Sequence, residues 1–532
     1  MRMPARGMWT RPNPPEYLSV RKKVRPTNPE LVDSVSGRSY VASVTVNRGL
    51  VIAGTEAPAA SGRTTDSVNP WTGQAYASVA AGSPDDVERA VDAAASAFDA
   101  WAAAKPAERR TILLRAAELL AARTPEIIAL MAEEVGGVAP WAGFNAMLAA
   151  DMLREAAAAA TQPIGQVLAT NADGVLSTLQ RVPKGVVAAI SPWNAPVILG
   201  VRAVALPLAM GNTVVLKPSE DAPIACGLLI SDVLHEAGLP PGVLNVVTND
   251  RADAPEIVET LIGDPRVRMV NFTGSTEVGR KVGMLAARHL KPAVLELGGK
   301  NPLLVLDDAD LDYAVDAAVF GSFMNAGQIC MCVDRIIVDR SLAADFTARF
   351  AARVRDLPCG DPRTSGTAIG PVISPEAAQR VSRLIEESVG KGAGLAAGTG
   401  EVEAPGTLIR PTVLTDVTPD MRIHHEEIFG PATVIYPVDG VEEAVALAND
   451  TTQGLTAGVI TENLARGLEI AGRLRTGIVH VNDQSIADEP QAPFGGVKES
   501  GYGRFGGQAG AEAFTDTRWV TAQVTGHQHY PI

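Results

Sequence analysis

The sequence has few of the residues that build disulfide frameworks, metal centres or membrane spans. Its 532 residues include only 4 cysteines and 7 histidines, and neither type recurs at a framework or ligand spacing, so we predict a reducing compartment and no bound metal. No apolar run reaches the roughly 18 residues of a membrane-spanning helix. The formal net charge of −14 argues against nucleic acid or an anionic membrane as the main partner. We expect a cytoplasmic protein.

Residues 1–48 differ in composition from the rest of the chain. They hold nine Lys or Arg, three Asp or Glu and six prolines, without the apolar core of a secretory signal. A basic, acid-poor extension is also typical of organelle targeting segments. We favour a disordered tail, or a start site assigned too far upstream, because this composition cannot offset the entropy lost on ordering.

The remaining residues are too many for a single hydrophobic core, and they alternate between strands and helices. We predict helices at 86–104, 107–130 and 224–237. Predicted buried strands lie at 185–190, 212–217, 244–247 and 269–272, and, in a second series, at 303–305, 335–338, 433–436 and 478–481. Strands separated by helices of this length indicate an α/β fold with parallel sheets covered on both faces.

Cys330 is the candidate nucleophile. It lies in a polar, glycine-containing turn after the apolar stretch 317–323, with the amides Asn325 and Gln328 nearby, and a thiol reacts as the thiolate, which such surroundings can favour. Glu296 lies between two leucines, and apolar neighbours raise the pKa of a carboxyl towards the range of a general base. The two residues together indicate covalent acyl chemistry. The alternatives are a buried structural cysteine and a solvated glutamate.

Seven short motifs give the chain a resemblance to the NAD(P)-dependent aldehyde dehydrogenase superfamily over roughly residues 50–525. They occur in the order and near the spacing of that family. The motifs are Pro192-Trp193-Asn194, Lys217-Pro-Ser-Glu220, Phe272-Thr-Gly-Ser-Thr-Glu-Val-Gly279, Glu296-Leu-Gly-Gly-Lys300, Gly327-Gln-Ile-Cys330, Glu426-Glu-Ile-Phe-Gly-Pro431 and Pro493-Phe-Gly-Gly-Val-Lys-Glu-Ser-Gly501.

The resemblance implies an aldehyde dehydrogenase-like α/β fold with a Rossmann-type cofactor domain, an α/β catalytic domain and a small β oligomerisation element. We place the cofactor domain at 49–164 and 183–295, and the catalytic domain at 296–500. The oligomerisation element takes 165–182 and 510–532, and it implies a homodimer or homotetramer, with the terminal strand at 519–524 pairing with a neighbouring subunit.

The resemblance also implies a mechanism. Cys330 attacks the aldehyde to give a thiohemiacetal, whose oxyanion is stabilised by the Asn194 side chain and the Cys330 backbone N–H. Hydride transfer leaves a thioester, and Glu296 activates the water that releases the carboxylic acid. We interpret Cys332 as a bystander or as a redox partner of Cys330.

For the cofactor, the turn before the helix near Ser275 offers free N–H groups to a phosphate. Glu220 follows a predicted strand, where a carboxylate accepts ribose hydroxyls and repels a 2′-phosphate, so NAD is predicted and NADP is the weaker alternative. The alternative interpretation of Lys217 and Glu220 is a surface ion pair. The predicted cofactor residues are Ser191, Trp193, Lys217, Ser219, Glu220, Gly274, Ser275, Gly279, Leu297, Glu427 and Phe429.

The substrate is expected to be a small aldehyde. Family positions predict a mostly apolar pocket lined by Leu199, Arg202, Ile329, Met331 and Phe494, and the C-terminal sequence resembles the branch that acts on benzaldehyde, salicylaldehyde and vanillin. Arg202 could instead pair with an acidic neighbour, or bind the distal carboxylate of a semialdehyde. An aliphatic aldehyde dehydrogenase and a non-catalytic descendant of the fold remain the alternative functions, whereas Glu296 counts against a CoA-acylating enzyme.

Overall fold

The structure is a computed structural model that describes residues 46–162, 165–527, 530 and 532. Most of the predicted N-terminal extension, residues 1–45, therefore lies outside the described residues, and residues 46–48 form a strand beside Ala75–Ala80. Over the described ranges no helix is long and apolar enough to cross a bilayer. No group of three or more potential metal-ligating side chains occurs in the same ranges. The cytoplasmic location stays a prediction.

An eight-stranded sheet contains the first predicted series of strands. Its five central strands pair in parallel, and the completely buried run Val186–Ile190 shows why such strands read as continuous apolar sequence. Antiparallel strands close both edges. In spatial order the strands are Gly501–Tyr502, Ala293–Glu296, Val267–Thr273, Val186–Ile190, Thr213–Lys217, Leu244–Val246, Leu50–Ile52 and Thr55–Ala57.

A seven-stranded sheet contains the second series. Its central strands are again parallel, and one antiparallel strand lies at an edge. In spatial order the strands are Gly394–Ala397, Thr412–Thr415, Ala432–Val438, Val333–Asp339, Asn301–Val305, Thr456–Ile460 and Ile478–Val481. The predicted strands of both series are confirmed, with ends that differ by up to two residues.

Fifteen α-helices occur in the described part of the chain, and they pack largely against the two sheets. Their bounds are Pro84–Ala103, Pro106–Ala122, Thr124–Glu134, Ala139–Ala159, Pro196–Ala209, Leu229–Glu236, Ala254–Gly263, Thr276–Arg288, Leu311–Phe323, Arg340–Arg355, Pro375–Gly390, Arg422–His425, Gly440–Asn449, Leu464–Ala471 and Gly507–Ala513.

Two predicted helices differ from the structure. The single helix expected at 107–130 is two helices that meet at Arg123, because Pro125 lacks the N–H that would continue the first one and is tolerated in the first turn of the second. The helix expected at 224–237 begins with a turn of π-helix, Ile224–Leu228. Its first N–H groups, those of Ile224 and Ala225, donate to the buried carboxylate of Glu134 at 2.9 and 2.7 Å.

A three-stranded antiparallel sheet projects an apolar surface. The terminal strand begins at Thr515, four residues before the predicted start, and pairs along its whole length with Val175–Pro183. Trp519 and Val167 are 71% and 78% exposed. The third strand is Gly165–Leu168. The remaining strands form small sheets, and they are Val46–Arg48, Ala75–Ala80, Thr64–Val68, Val402–Glu403, Leu408–Ile409, Gln453–Gly454 and Val497–Lys498.

Candidate active site

The predicted site residues meet along one edge of the eight-stranded sheet. Four neighbouring parallel strands end there, and Asn194, Lys217, Ser275 and Glu296 lie at or just after those ends. The carboxyl edge of an open parallel sheet is where α/β proteins bind ligands. A cavity of about 1310 Å³ follows this edge and reaches Cys330. Distant parts of the sequence therefore converge on one site.

Most of the predicted residues line this main cavity, and five do not. Those that line it are Cys330, Glu296, Asn194, Ser191, Trp193, Lys217, Ser219, Glu220, Gly274, Ser275, Leu297, Glu427, Phe429 and Leu199. Those outside its lining are Gly279, Arg202, Ile329, Met331 and Phe494.

A left-handed turn presents the candidate nucleophile. After the helix Leu311–Phe323 the residues Asn325, Ala326 and Gly327 all have positive φ, of 52°, 53° and 73°. A Cβ atom at Gly327 would lie 1.9 Å from the Gly430 carbonyl oxygen, so only glycine fits. The turn brings Cys330 to the cavity with part of its surface exposed. Left-handed residues in series are strained and need support from their surroundings.

Side-chain amides supply that support. The Asn325 amide donates to the Asn194 carbonyl oxygen at 3.1 Å, and Gln328 Oε1 accepts the Ile373 N–H at 2.9 Å. Asn194 Nδ2 donates to the Gln328 carbonyl oxygen at 3.0 Å. The Asn194 side chain is thus held beside the nucleophile turn, as an oxyanion donor requires. The Asn301 amide fixes the far side by donating to the Cys330 carbonyl oxygen at 2.8 Å.

Cys332 does not share the exposure of Cys330. The segment is a turn, as predicted around Cys330, and it is closed by the Cys332 N–H donating to the Ile329 carbonyl oxygen at 2.9 Å. Cys332 is buried, and burial raises the pKa of its thiol. Its reactivity is therefore low in this conformation.

Glu296 is completely buried at the end of its strand. Within the described ranges neither carboxylate oxygen has a hydrogen-bond partner. Burial raises the pKa of Glu296 to about 8, against a smaller opposing effect of the Arg202 guanidinium. Burial also raises the pKa of the Cys330 thiol, and the Glu296 and Glu427 carboxylates raise it further. A carboxyl with this pKa accepts a proton near neutral pH, as a general base must.

The opposite end of the main cavity carries a lysine and a glutamate that pair with each other. Lys217 Nζ donates to Glu220, and the Asn249 amide donates to the same carboxylate at 3.0 Å. Burial alone would raise the pKa of Glu220, but the Lys217 ammonium outweighs it, so the net pKa is lowered and Glu220 stays ionised. Lys217 and Glu220 are therefore not a surface ion pair. A fixed carboxylate beside an ammonium fits vicinal ribose hydroxyls.

The predicted helix N-terminus is present beside that end. Ser275 caps the helix Thr276–Arg288, with its Oγ accepting the Val278 N–H at 3.3 Å. A Cβ atom at Gly279 would lie 2.2 Å from a Leu297 methyl carbon. Gly279 therefore allows this helix to pack closely on the sheet, and it does not line the cavity itself. Free N–H groups at such a helix start suit a phosphate, so the cavity fits a dinucleotide.

The loop that carries Glu427 and Phe429 also lines the main cavity. Glu427 Oε1 accepts the Gly299 N–H at 3.2 Å, and burial raises the pKa of Glu427 to about 8. The Phe429 ring meets Trp193 edge to face, with centroids 5.9 Å apart. Arg380 donates to the Ile428 carbonyl oxygen. This loop encloses the space between the ribose end and Cys330.

A buried ion pair anchors the same loop. Lys300 Nζ donates to Asp334 Oδ2 at 3.0 Å and to the Glu426 carbonyl oxygen at 2.7 Å. Asp334 Oδ2 also accepts the Ile428 N–H at 2.9 Å. This role of Lys300 is not visible in the sequence, because a lysine that follows two glycines has no feature that distinguishes an anchor from a solvated side chain.

Replacing Lys300 with methionine should destabilise the protein strongly. The change leaves the Asp334 carboxylate buried without its cation, and breaking a buried pair costs about 3–5 kcal/mol. The matched control is Lys281→Met, which removes an exposed pair with Glu277, 2.7 Å long, and should cost less than about 1 kcal/mol. Thermal and denaturant unfolding measure both variants. Equal, small shifts would show that Lys300 is not an anchor.

The residues predicted for substrate binding occupy three environments. Leu199 lines the main cavity, whereas Ile329 and Met331 are buried in the hydrophobic core. Neither residue lines the main cavity, so their predicted contact with the substrate is wrong. Arg202 and Phe494 lie together in a second, smaller cavity.

Several residues of the site were missed from the sequence. Asn249, Arg380 and Asp488 are single polar residues without a motif, so no local signal marks them. Asn301 could have been recognised from the sequence as a residue near the site, since it directly follows Glu296-Leu-Gly-Gly-Lys300 and lies at the start of a strand.

An α/β fold with a cleft that fits a dinucleotide, and with a cysteine and a buried carboxyl at the end of that cleft, is the arrangement expected of an oxidoreductase that forms a covalent bond to its substrate through cysteine. Residues 57–520 match the sequence model of the aldehyde dehydrogenase family. The chain belongs to that family, and it is an aldehyde-oxidising enzyme that uses NAD(P). The predicted family and fold class are confirmed.

Known proteins resemble the chain over most of its length. It is 52% identical over 483 residues to a vanillin dehydrogenase of Pseudomonas fluorescens, covering 91% of this chain and 99% of that protein. It is 39% identical over 466 residues to an NAD(+) benzaldehyde dehydrogenase of Pseudomonas putida, covering 87% and 94%. The crystal structure of a salicylaldehyde dehydrogenase from Pseudomonas putida G7, complexed with salicylaldehyde, matches with a TM-score of 0.89 and 41% identity, covering 92% and 100%.

Proposed function

We propose that the protein oxidises an aromatic aldehyde to its carboxylic acid with NAD, through a thioester on Cys330. The observation that carries the proposal is one cavity with Cys330, Glu296 and Asn194 at one end and the Lys217–Glu220 pair at the other. The relatives named above, which are dehydrogenases of vanillin, salicylaldehyde and benzaldehyde, support an aromatic substrate.

In the first step Cys330, in its thiolate form, attacks the carbonyl carbon of the aldehyde. Negative charge develops on the carbonyl oxygen, and Asn194 Nδ2 with the Cys330 backbone N–H donate to it. Removing one such donor typically costs about 2.7–4 kcal/mol of transition-state stabilisation. To donate to this oxygen, Asn194 Nδ2 must break or share the hydrogen bond that it donates to the Gln328 carbonyl oxygen.

The chemistry that NAD(P) supplies when bound is acceptance of the hydride from the aldehyde carbon. Lys217 and Glu220 would hold the adenosine ribose, Ser275 the phosphates, and Glu427 with Phe429 the nicotinamide end. The oxidised carbonyl stays on Cys330 as a thioester. Glu296 removes a proton from water, the resulting hydroxide attacks the thioester, and the Cys330 thiolate leaves as the acid is released.

Glu220 is the basis for proposing NAD over NADP. Replacing it with glutamine removes the negative charge and frees Lys217 to meet a 2′-phosphate. We expect the ratio of the NADP+ to the NAD+ dissociation constant to fall at least about tenfold, equivalent to about 1.4 kcal/mol. Calorimetry measures both constants without turnover. Glu277→Gln, an exposed carboxylate on the same cavity, is the control, and an unchanged ratio in Glu220→Gln would refute the assignment.

An aldehyde panel followed by NADH absorbance tests the proposed reaction. We expect kcat/KM for benzaldehyde to exceed the values for hexanal and succinic semialdehyde. The semialdehyde alternative required Arg202 to bind a carboxylate, but Arg202 already pairs with Asp488. A preference for succinic semialdehyde would favour that alternative, and absence of NADH with every aldehyde would favour a non-catalytic protein.

We also propose a homo-oligomer, either dimer or tetramer. The three-stranded sheet exposes Trp519 and Val167, and exposed apolar strands at a sheet edge are usually covered by association. Light scattering on the purified protein measures the assembly, and a monomer at micromolar concentration would contradict the proposal.

A further inference from the structure

A second cavity lies close to the main one along the same helix. Leu199, on the helix Pro196–Ala209, lines the main cavity beside Cys330. Arg202, three residues later, lines the second cavity. Three residues advance a helix by about 4.5 Å, which is comparable with the size of an aromatic ring. A substituent on a ring bound at Cys330 can therefore reach this second cavity.

The second cavity contains a buried ion pair. Arg202 Nη2 donates to Asp488 Oδ2, and the two side chains are only 6% and 4% exposed. The Arg202 guanidinium carbon lies 4.2 Å from the centre of the Phe494 ring, a cation–π distance. The guanidinium is thereby fixed between an aromatic face and a carboxylate. Its charge is neutralised before any substrate arrives.

The second oxygen of Asp488 has no partner. Among the described residues no donor reaches Asp488 Oδ1, although the atom is buried. A buried acceptor without a donor costs free energy, and native structures rarely tolerate one without a reason. Asp488 lines the second cavity, so a bound molecule can provide the missing donor.

The ion pair also lies within electrostatic reach of the reaction. Burial sets the raised pKa of Glu296, while Arg202 lowers that pKa and Asp488 raises it. Arg202 acts in the same way on Cys330, opposing the effect of burial on its thiol pKa. The ion pair is therefore close to both the candidate base and the candidate nucleophile.

We propose that Asp488 Oδ1 accepts a hydrogen bond from a hydroxyl group on the ring of the aldehyde, so that the site selects phenolic aldehydes. This inference rests on the proposed aromatic aldehyde oxidation and makes its substrate class narrower. Arg202 is a positioning residue that orients the carboxylate. A methyl ether cannot donate to Asp488, and a substrate carboxylate would be repelled by it.

The test compares each hydroxybenzaldehyde with its own methyl ether. In the wild-type enzyme kcat/KM should be at least about tenfold higher for the hydroxyl compound than for its ether at one or more ring positions. The reason is that only the hydroxyl compound can donate a hydrogen bond to the charged carboxylate. In Asp488→Asn that ratio should fall towards one, because the amide can present a donor where the hydroxyl needs an acceptor. Because both kcat/KM values are measured on the same variant, a general loss of activity cancels in their ratio.

Glu489→Gln is the matched control. Glu489 is the exposed neighbour of Asp488 and lines the same cavity. The substitution therefore removes one nearby negative charge and leaves the proposed hydrogen bond to Asp488 in place. The hydroxyl-to-ether ratio should stay at the wild-type value in this variant.

A binding measurement keeps the outcome independent of turnover and of the folding of Asp488→Asn. Hydroxyacetophenones and methoxyacetophenones are ketones that cannot be oxidised to acids, and calorimetry should show that the wild-type enzyme binds the hydroxyl compound at least about tenfold more tightly. The inference is overturned if no hydroxyl isomer is preferred in either assay, or if a folded Asp488→Asn keeps the preference. Failure of the proposed function differs from both, since no aromatic aldehyde would then yield NADH.

Discussion

Replacing Cys330 with alanine should reduce aldehyde oxidation at least about 10⁴-fold, because removal of the nucleophile from a covalent catalytic unit abolishes most of its rate enhancement. The sulfur is the group that holds the carbonyl during oxidation, and a methyl group cannot replace it. NAD binding should persist, since Cys330 lies at the opposite end of the cavity from Lys217 and Glu220. NADH formation from benzaldehyde, together with calorimetric titration of NAD, measures the two properties separately.

Cys332→Ala is the matched control for that experiment. Cys332 lies two residues away and is buried outside the cavity lining, so its loss should change the rate far less. Mass spectrometry after rapid quenching should detect an acyl group on Cys330 in the wild-type enzyme. Persistent turnover by Cys330→Ala would show that another group carries the acyl intermediate.

Replacing Glu296 with glutamine should slow release of the acid by about 10²–10⁴-fold, the usual contribution of a positioned general base. Glutamine keeps the size of the side chain but cannot accept a proton from water. The thioester should therefore accumulate, giving one equivalent of NADH per active site in a fast phase and then slow turnover. Stopped-flow absorbance measures the amplitude and both rates.

The pH dependence follows from the pKa of Glu296, which burial raises to about 8. A general base acts when ionised, so the rate of thioester hydrolysis in the wild-type enzyme should rise as pH increases through about 8 and level off above it. The same limb of the profile should be missing in Glu296→Gln. Glu401→Gln, an exposed carboxyl far along the sequence, should keep it. A flat wild-type profile between pH 6 and 9 would contradict this role.

Much of the fold was predictable because local patterns and tertiary structure agree. Strands such as Val186–Ile190 are buried on both faces and consist of apolar residues alone, so their positions could be predicted from sequence. The break at Arg123 was missed because the amphipathic pattern continues across it, and only the position of Pro125 indicated a boundary. Residues 1–45 lie outside the described ranges, and their predicted character is untested.

The sequence by itself determined which chemistry to expect, since Cys330, Glu296, Asn194 and Glu220 lie in short motifs whose resemblance to the aldehyde dehydrogenase family implied their roles. Only the tertiary structure decided their surroundings. Three features depend on contacts between segments far apart in the chain. Glu296 is buried with no hydrogen-bond partner among the described residues, Arg202 pairs with Asp488, and Ile329 and Met331 pack into the core. Such contacts leave no periodicity or spacing in the sequence, because solvent exclusion and charge pairing arise when the segments meet.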